Sequence, residues 1–427
     1  MVVRSRAYAW YVLGLLTTIN FVNYVDRLVV VGIYDDLRRL FALSDAQLGS
    51  LTTAFFTVHA LTTIPFGWAA DRWDRRRILA LGIIAWSLAT LASAYAVGYL
   101  SLAVLIGLIG LGEAAYGPVA NSLLCEVFRP AEKARTVAIF NGAMFVGACV
   151  GIGIGGWFGF PLAYKVVAVP GLFLGVAAYF LDVPRVRQGP HLRPSEGKLA
   201  SLFGGMALIM KIRTLRWMLG AGILISFAAG GYITWFTDFI IAYKGMPATK
   251  AGVVIAAIVL TGGSMGVVIG GLVADELQRH CRFGRTLTIA IGFAASVPFA
   301  LGAIFIDRGW MFFASSWLLM FFLPWYTGPM GAVVDDVVDD THANIAQASF
   351  SFMLHLLGSG PAALLVGIAA TYWNKRYALL LPTAASALGV AFCLVACRYV
   401  ARDMQDREHR LVLAHGAARE RAAMATG

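Results

Sequence analysis

The chain has 427 residues, 59% of them hydrophobic and only 13% charged, with a formal net charge of +11. A soluble chain of this length would carry roughly twice that share of charge, which excludes a soluble enzyme or binding domain. The positive balance does not call for nucleic acid, because membrane proteins concentrate Lys and Arg in the loops on the cytoplasmic side.

Apolar runs long enough to span a bilayer, about 20 residues each, recur along the whole chain. They lack the strict alternation of a membrane barrel, so the spans are expected to be helices, which satisfy their own backbone hydrogen bonds in lipid. Twelve are predicted, at 8–33, 47–70, 77–97, 100–125, 135–158, 162–181, 215–242, 249–274, 286–306, 309–334, 343–371 and 377–398. The first is too long and too polar for a cleaved signal peptide. Cys125, Cys149, Cys281, Cys393 and Cys397 show no zinc spacing and read as small buried apolar residues. No metal or cofactor is expected.

Span one contains NFVNYVDRLVVVG. Thr17, Asn20, Asn23 and the pair Asp26–Arg27 recur every three to four residues, a polar stripe turned from lipid. Charge at membrane depth is costly and by default functional. Span two ends in GWAADRWDRRRIL. Gly67 would allow close helix approach, Asp71 could bond a helix N-terminus, and Arg72, Arg75 and Arg76 could complete a gating charge relay, although Asp74 stands where the pattern has glycine. His59 in span two and His355 in span eleven are possible proton relays. Span four reads LIGLGEAAYGP and puts Glu113 about 20 Å along the helix, at ~1.5 Å per residue. An inward-facing Arg27 could there meet both Asp26 and Glu113. Span five carries Gly147, Gly151 and Gly155 at four-residue steps, a face for tight packing.

The polar stretch 183–214 splits the chain into a six-span bundle at 1–182 and a second at 215–400, followed by a tail at 401–427. Gly67 with Asp71 and Gly271 with Asp275 repeat one spacing in the two halves. Parallel six-span repeats with substrate bound between them are the architecture of major facilitator transporters, and the loop after span two resembles that superfamily's motif. Most Lys and Arg fall on the side of the N-terminus, which is therefore expected to be cytoplasmic along with the C-terminus. The run VVDDVVDD at 333–340 dissents, being acidic on that side. Spans eight, nine, ten and twelve have no interior charge. The candidates in the second half are Tyr232, Thr234, Trp235 and Phe236 in span seven, and Trp325 and Tyr326 in span ten. A cavity charged on one wall and apolar on the other suits an amphiphile.

NFVNYVDRLVVVG, GLGEAAYGPVANSLLCEVF, GGYITWFTDFI and MLHLLGSGPAALLVG together resemble the spinster family of the major facilitator superfamily, and the similarity runs through nearly all twelve spans. The resemblance implies proton-driven export of lysolipids such as sphingosine-1-phosphate or lysophospholipids, with Asp26, Arg27 and Glu113 at the polar site. The family usually has arginine seven residues before the glutamate; here that position is Ile106.

The expected protein is an all-α membrane protein of the major facilitator fold, monomeric, in the plasma (inner) membrane. Its expected function is proton-coupled transport of an amphipathic organic anion by alternating access. Asp26 and Glu113 carry the proton in this reading, and Asn23, Asp26, Arg27, Glu113, Tyr116, Trp235, Trp325 and Tyr326 bind substrate. Alternatives are an antiporter of drugs or small metabolites and a non-transporting membrane sensor. An acyl transferase is disfavoured, because no HxxxxD or HExxH spacing lies near a membrane face.

Overall fold

The computed structural model describes residues 6–128, 130–181 and 198–426. Every regular element among them is helical. The first half comprises α1 (Arg6–Gly32), α2 (Tyr34–Phe41), α3 (Asp45–Arg72), α4 (Arg75–Ser93), α5 (Tyr99–Ala114), α6 (Tyr116–Val127), α7 (Pro130–Phe158) and α8 (Leu162–Tyr179). After α9 (Lys198–Lys211), the second half comprises α10 (Arg213–Lys244), α11 (Ala248–Ile258), α12 (Ser264–His280), α13 (Gly284–Phe305), α14 (Gly309–Phe322), α15 (Thr327–Val337), α16 (Asp340–Met353), α17 (Gly360–Tyr372), α18 (Lys375–Ala378) and α19 (Leu380–Thr426). Among the described residues, ten helical stretches are long and apolar enough to cross a membrane. They fall at ten of the predicted spans, and α3 and the α5–α6 rod lie where spans two and four were expected.

The predicted limits depart from the structure in a few places. Span four breaks at Ala115 into α5 and α6. Spans eight and eleven each contain a π turn, at Val259–Gly263 and Leu354–Ser359, and span ten a 3₁₀ turn at Leu323–Tyr326. Such irregular turns are tolerated at membrane depth where protein surrounds them. The stretch read as linker holds α9, and the stretch read as a separate tail continues α19 to Thr426 without a break.

Within the first half α1 packs on α7, α3 on α5 and α4 on α8; within the second, α10 packs on α19 and on the rod of α16 and α17. Among the described residues the halves meet chiefly through two pairings, α3 with α17 and α7 with α11. In span numbers these are 2 with 11 and 5 with 8. Exchanging each span with the one six places along turns one pairing into the other, as a parallel repeat about a two-fold axis requires.

Local sequence explains the helix ends. Ser44 and Gln47 form a capping box at the start of α3: Ser44 Oγ accepts from Gln47 N at 3.2 Å, and Gln47 Oε1 accepts from Ser44 N at 2.9 Å. Asp74, the residue in place of glycine, caps α4 by accepting from Arg76 N at 3.0 Å. Between α7 and α8, Gly159 turns the chain at φ +64, with Asp36 lying where a Cβ would stand. Asp36 Oδ2 accepts from Phe160 N at 2.9 Å, so the α2 segment holds that turn.

The glycine stripe of α7 is a packing surface. A Cβ on Gly147, Gly151 or Gly155 would stand 2.4, 2.4 or 2.5 Å from the backbone oxygens of Phe21, Val25 and Val29. This close approach fixes α1, and with it the polar stripe, against the bundle. Overpacking a tight interface costs about 1–3 kcal/mol or more. Gly151→Leu is therefore expected to lower the melting temperature by several degrees or abolish recovery of folded protein. Gly153→Ala, whose added carbon meets nothing within 4 Å, is expected to match wild type in the same thermal assay.

Candidate functional site

The polar stripe of α1 is buried inside the first half. Asn20 donates from Nδ2 to Phe140 O on α7 at 2.8 Å. One turn on, Asn23 Oδ1 accepts from Arg27 Nη2 at 3.5 Å. Arg27 reaches across to α5, where Nη2 and Nε donate to Glu113 Oε2 at 2.7 and 3.2 Å. The Glu113 side chain is fully buried and that of Arg27 is 13% exposed. The guanidinium also lies over three rings, at 4.7 Å from Tyr24, 4.9 Å from Phe55 and 5.9 Å from Phe56, an arrangement that rewards a weakly hydrated planar cation.

Asp26 departs from the expectation that Arg27 would meet both carboxylates. Successive residues on a helix diverge by about 100°, so Asp26 points away from Arg27, and Thr90 Oγ1 of α4 donates to its Oδ2 at 2.5 Å. Asp26 is buried, and among the described residues its Oδ1 has no hydrogen-bond partner; the same holds for Glu113 Oε1. Two buried carboxylates thus flank one arginine, one engaged and one held apart. Ile106 is buried on the same wall and shares a small cavity with Asp26 and Arg27.

Other candidate residues fall in different places. His59 stacks on Phe55 at 5.7 Å and His355 on Phe56 at 6.4 Å, and Phe56 and His355 belong to opposite halves. His355 Nδ1 lies 3.0 Å from Ser359 Oγ across the π turn. Tyr116 is buried and donates to Leu16 O at 2.7 Å, so its hydroxyl is committed to holding α6 on α1. Trp325 is packed inside the second half, where Gly270 and Gly292 press on it, and Tyr326 rests on Phe293 at 5.8 Å. Trp235 is buried, donates from Nε1 to Ala363 O at 2.9 Å and meets Tyr34 of the other half at 5.6 Å. Geometrically these are packing and seam residues, because their aromatic bulk fills helix contacts. Of the gating group, the side chains of Gly67, Asp71 and Arg72 lie outside the described residues. Arg76 pairs with Asp74 at 3.5 Å and lies over Tyr179 at 5.4 Å.

Comparison with known proteins bears on this arrangement. The family model of the Major Facilitator Superfamily matches residues 16–338. The chain belongs to the Major Facilitator Superfamily. It is a membrane transporter of that superfamily rather than an enzyme. It is similar to protein spinster homolog 1 of Mus musculus, 26% identical with 85% of this chain and 73% of the relative covered. It is also similar to the sphingosine-1-phosphate transporter SPNS2 of Xenopus tropicalis, 27% identical with 95% and 85% covered. Among solved structures, a bacterial homolog of the human lysosomal transporter spinster, inward-facing and unoccupied, superposes with a TM-score of 0.82 at 19% identity, covering 94% of this chain and 99% of that one. The occupied form of that homolog gives 0.80 at 20% identity, with the same shares covered.

In this major facilitator chain the halves are latched at the end distant from the inter-half linker. Arg38, between α1 and α3, donates to Asp45 at 2.7 Å and to Asp238 of α10 at 3.1 Å, and Lys375 reaches Asp238 at 2.7 Å. Burial opposes the charge on Arg38, but Asp238 and Asp45 outweigh it and hold the guanidinium above its ordinary pKa. Glycines seal the seam below: a Cβ on Gly49 or Gly367 would strike the backbone of Ala363 or Asp45. Sequence reading passed over Arg38, Asp45 and Lys375, and placed Asp238 only near a span end. The contacts that join the halves link residues far apart in the chain, Arg38 to Asp238 being 200 positions, and no local pattern marks them. At the linker end, two aspartates of the acidic run have cations: Arg285 meets Asp336 at 2.5 Å, and also Asp275 outside the run at 3.8 Å, and Arg410 meets Asp339 at 3.4 Å.

Asp238→Asn would leave Lys375 with Asp45, and Arg38 with Asp45 and Asp35, all but Lys375 in the first half. Breaking a buried pair costs about 3–5 kcal/mol, and the partial exposure of Arg38 places this change at or below the lower end. The expected result is a lower melting temperature together with faster amide exchange at the start of α3 and the end of α17. Unchanged exchange in both segments would refute the latch.

Proposed function

We propose that this transporter couples protons to the movement of an amphipathic organic anion, a lysolipid or sphingosine-1-phosphate-like molecule, by alternating access. The observation that carries this reading is the unequal pair of buried carboxylates beside one arginine: Glu113 clasped to Arg27, Asp26 held by Thr90. A proton arriving on Glu113 would remove its charge and free Arg27 for an anionic head group. Departure of the head group would return Arg27 to Glu113 and release the proton. Asp26, adjacent in sequence and free of a cation's hydrogen bond among the described residues, is the second proton carrier. Two relatives support the substrate class, one named a spinster homolog and the other a sphingosine-1-phosphate transporter. The apolar surroundings of Arg27 fit a chain-bearing anion better than a polyol. With both termini in the cytoplasm of an inner-membrane protein that works as a monomer, the latched end would face outward.

Asp26→Asn and Glu113→Gln, reconstituted in vesicles, are each expected to reduce pH-driven lysophospholipid uptake at least tenfold while binding persists. Arg27→Ala is expected to abolish both, since it removes the cation and strands Glu113. Full proton-driven transport by both carboxylate variants would reject the site.

The chain of the substrate should also be read by the protein. Each buried methylene contributes about 0.8 kcal/mol, so affinity, corrected for partition into detergent, is expected to rise about fourfold per methylene until the site is full. Flat affinity across a lysophospholipid series would reject an amphiphile.

A further inference from the structure

Four arginines gather at the linker end of the second half, where α10 begins and α19 leaves its apolar run. The two helices lie antiparallel, and three contacts fix their register. Thr214 N donates to Asp403 Oδ2 at 2.8 Å, the Arg213 guanidinium lies 5.8 Å from the Tyr399 ring, and Trp217 meets Phe392 at 5.3 Å. Arg213 and Arg216 of α10 therefore stand level with Arg398 and Arg402 of α19. All four are exposed. Among the described residues the side chains of Arg216, Arg398 and Arg402 have no ion pair or hydrogen bond, and that of Arg213 has the Tyr399 ring alone.

The arginines also share a face. Phe227 of α10 and Leu381 of α19 line one apolar groove with the exposed Leu365, Tyr372 and Trp373, which marks the side of the helix pair turned to lipid. Arg216 precedes Phe227 by eleven residues, and Tyr399 follows Leu381 by eighteen. These are about three and five whole helical turns, so both fall on the groove's side. Arg213 is one turn from Arg216, and Arg402 one turn from both Tyr399 and Arg398.

The chain does not neutralise this charge. Asp403 is committed to the first turn of α10, and Asp406 is exposed one turn further out along α19. The linker at 183–197 brings three more arginines against one glutamate. Position then selects the counterion. Trp217 lies one turn inside Arg213, and tryptophan marks the head-group level of a bilayer. Arginines at that level lay their stems along apolar surface and reach lipid phosphates, which a guanidinium can bind through two parallel hydrogen bonds.

We propose that this face of α10 and α19 binds the head group of an anionic phospholipid. Its phosphate sits among the arginines of the two helices, and its chains lie along the apolar face that continues toward Phe227 and Leu381. The lipid thereby ties the linker ends of α10 and α19 to each other. The proposal does not depend on what the transporter carries.

The test titrates purified full-length protein in neutral detergent with phosphatidylglycerol, with phosphatidylethanolamine of the same chains, or with inorganic phosphate. Native mass spectrometry counts bound lipid, and the melting temperature is measured alongside. Wild type is expected to hold one phosphatidylglycerol at least about tenfold more tightly than phosphatidylethanolamine and to melt higher with it. Arg216→Gln with Arg402→Gln is expected to weaken phosphatidylglycerol at least about tenfold and to keep the wild-type melting temperature without lipid. Arg279→Gln with Arg308→Gln removes the same charge from exposed positions elsewhere and is expected to bind as wild type does. If the first pair does not fold, Arg213→Gln with Arg398→Gln carries the same expectation. Equal affinity for the two lipids, or equal losses in the variant and its control, reduces the patch to general attraction and overturns the site. Equal stabilisation by inorganic phosphate overturns the lipid as its occupant. Wild-type binding by a folded variant of either pair overturns the placement on α10 and α19.

Discussion

An arginine placed at membrane depth must find a partner charge, and most of the first half is arranged around that need. Arg27 meets Glu113 at 2.7 Å, with Asn23 one turn below and three aromatic rings around the guanidinium. Removing one member of such a pair is far more damaging than the pair is stabilising. α5 must therefore pass close to α1 at this depth, and one face of α1 must be polar. Further along, α1 lies backbone to backbone against α7, an approach that the glycines of α7 make possible.

The same economy of charge operates at the two ends of the molecule. At the distal end, two cations and two carboxylates from both halves neutralise one another over a seam of small residues. Such a contact is strong while dry and weakens as water enters, a property suited to a joint that opens. At the linker end, the ion pairs of Arg285 with Asp275 and Asp336 lie within the second half. They bind the ends of α12, α13 and α15 to one another.

Asp26 and Glu113 show how one helical residue separates two chemically identical groups. The pitch of α1 sends Arg27 toward α5 and Asp26 toward α4 and α8. One carboxylate of the site therefore has a cation while the other has hydroxyl neighbours. Two carboxylates in unlike surroundings can take and release protons at different stages of one cycle.

Sequence alone determined the all-helical membrane class, the major facilitator fold and the polar stripe of α1, because each is written in periodicity, run length or charge rarity over short distances. It also singled out Asp26, Arg27 and Glu113, since a charge in an apolar run has few bland explanations. Which carboxylate Arg27 holds was decided by the tertiary structure, because that depends on the rotation of α1 against α4 and α5. The same is true of the distal cluster, whose members Arg38, Asp45, Asp238 and Lys375 each look like ordinary loop or span-end charges. Tyr116, Trp235 and Trp325 looked like cavity aromatics and became packing, because a pattern of residues along one helix does not say which neighbour fills the space in front of it. The acidic run at 333–340 contradicted the charge rule in sequence and was reconciled in space, where Arg285 and Arg410 stand against it.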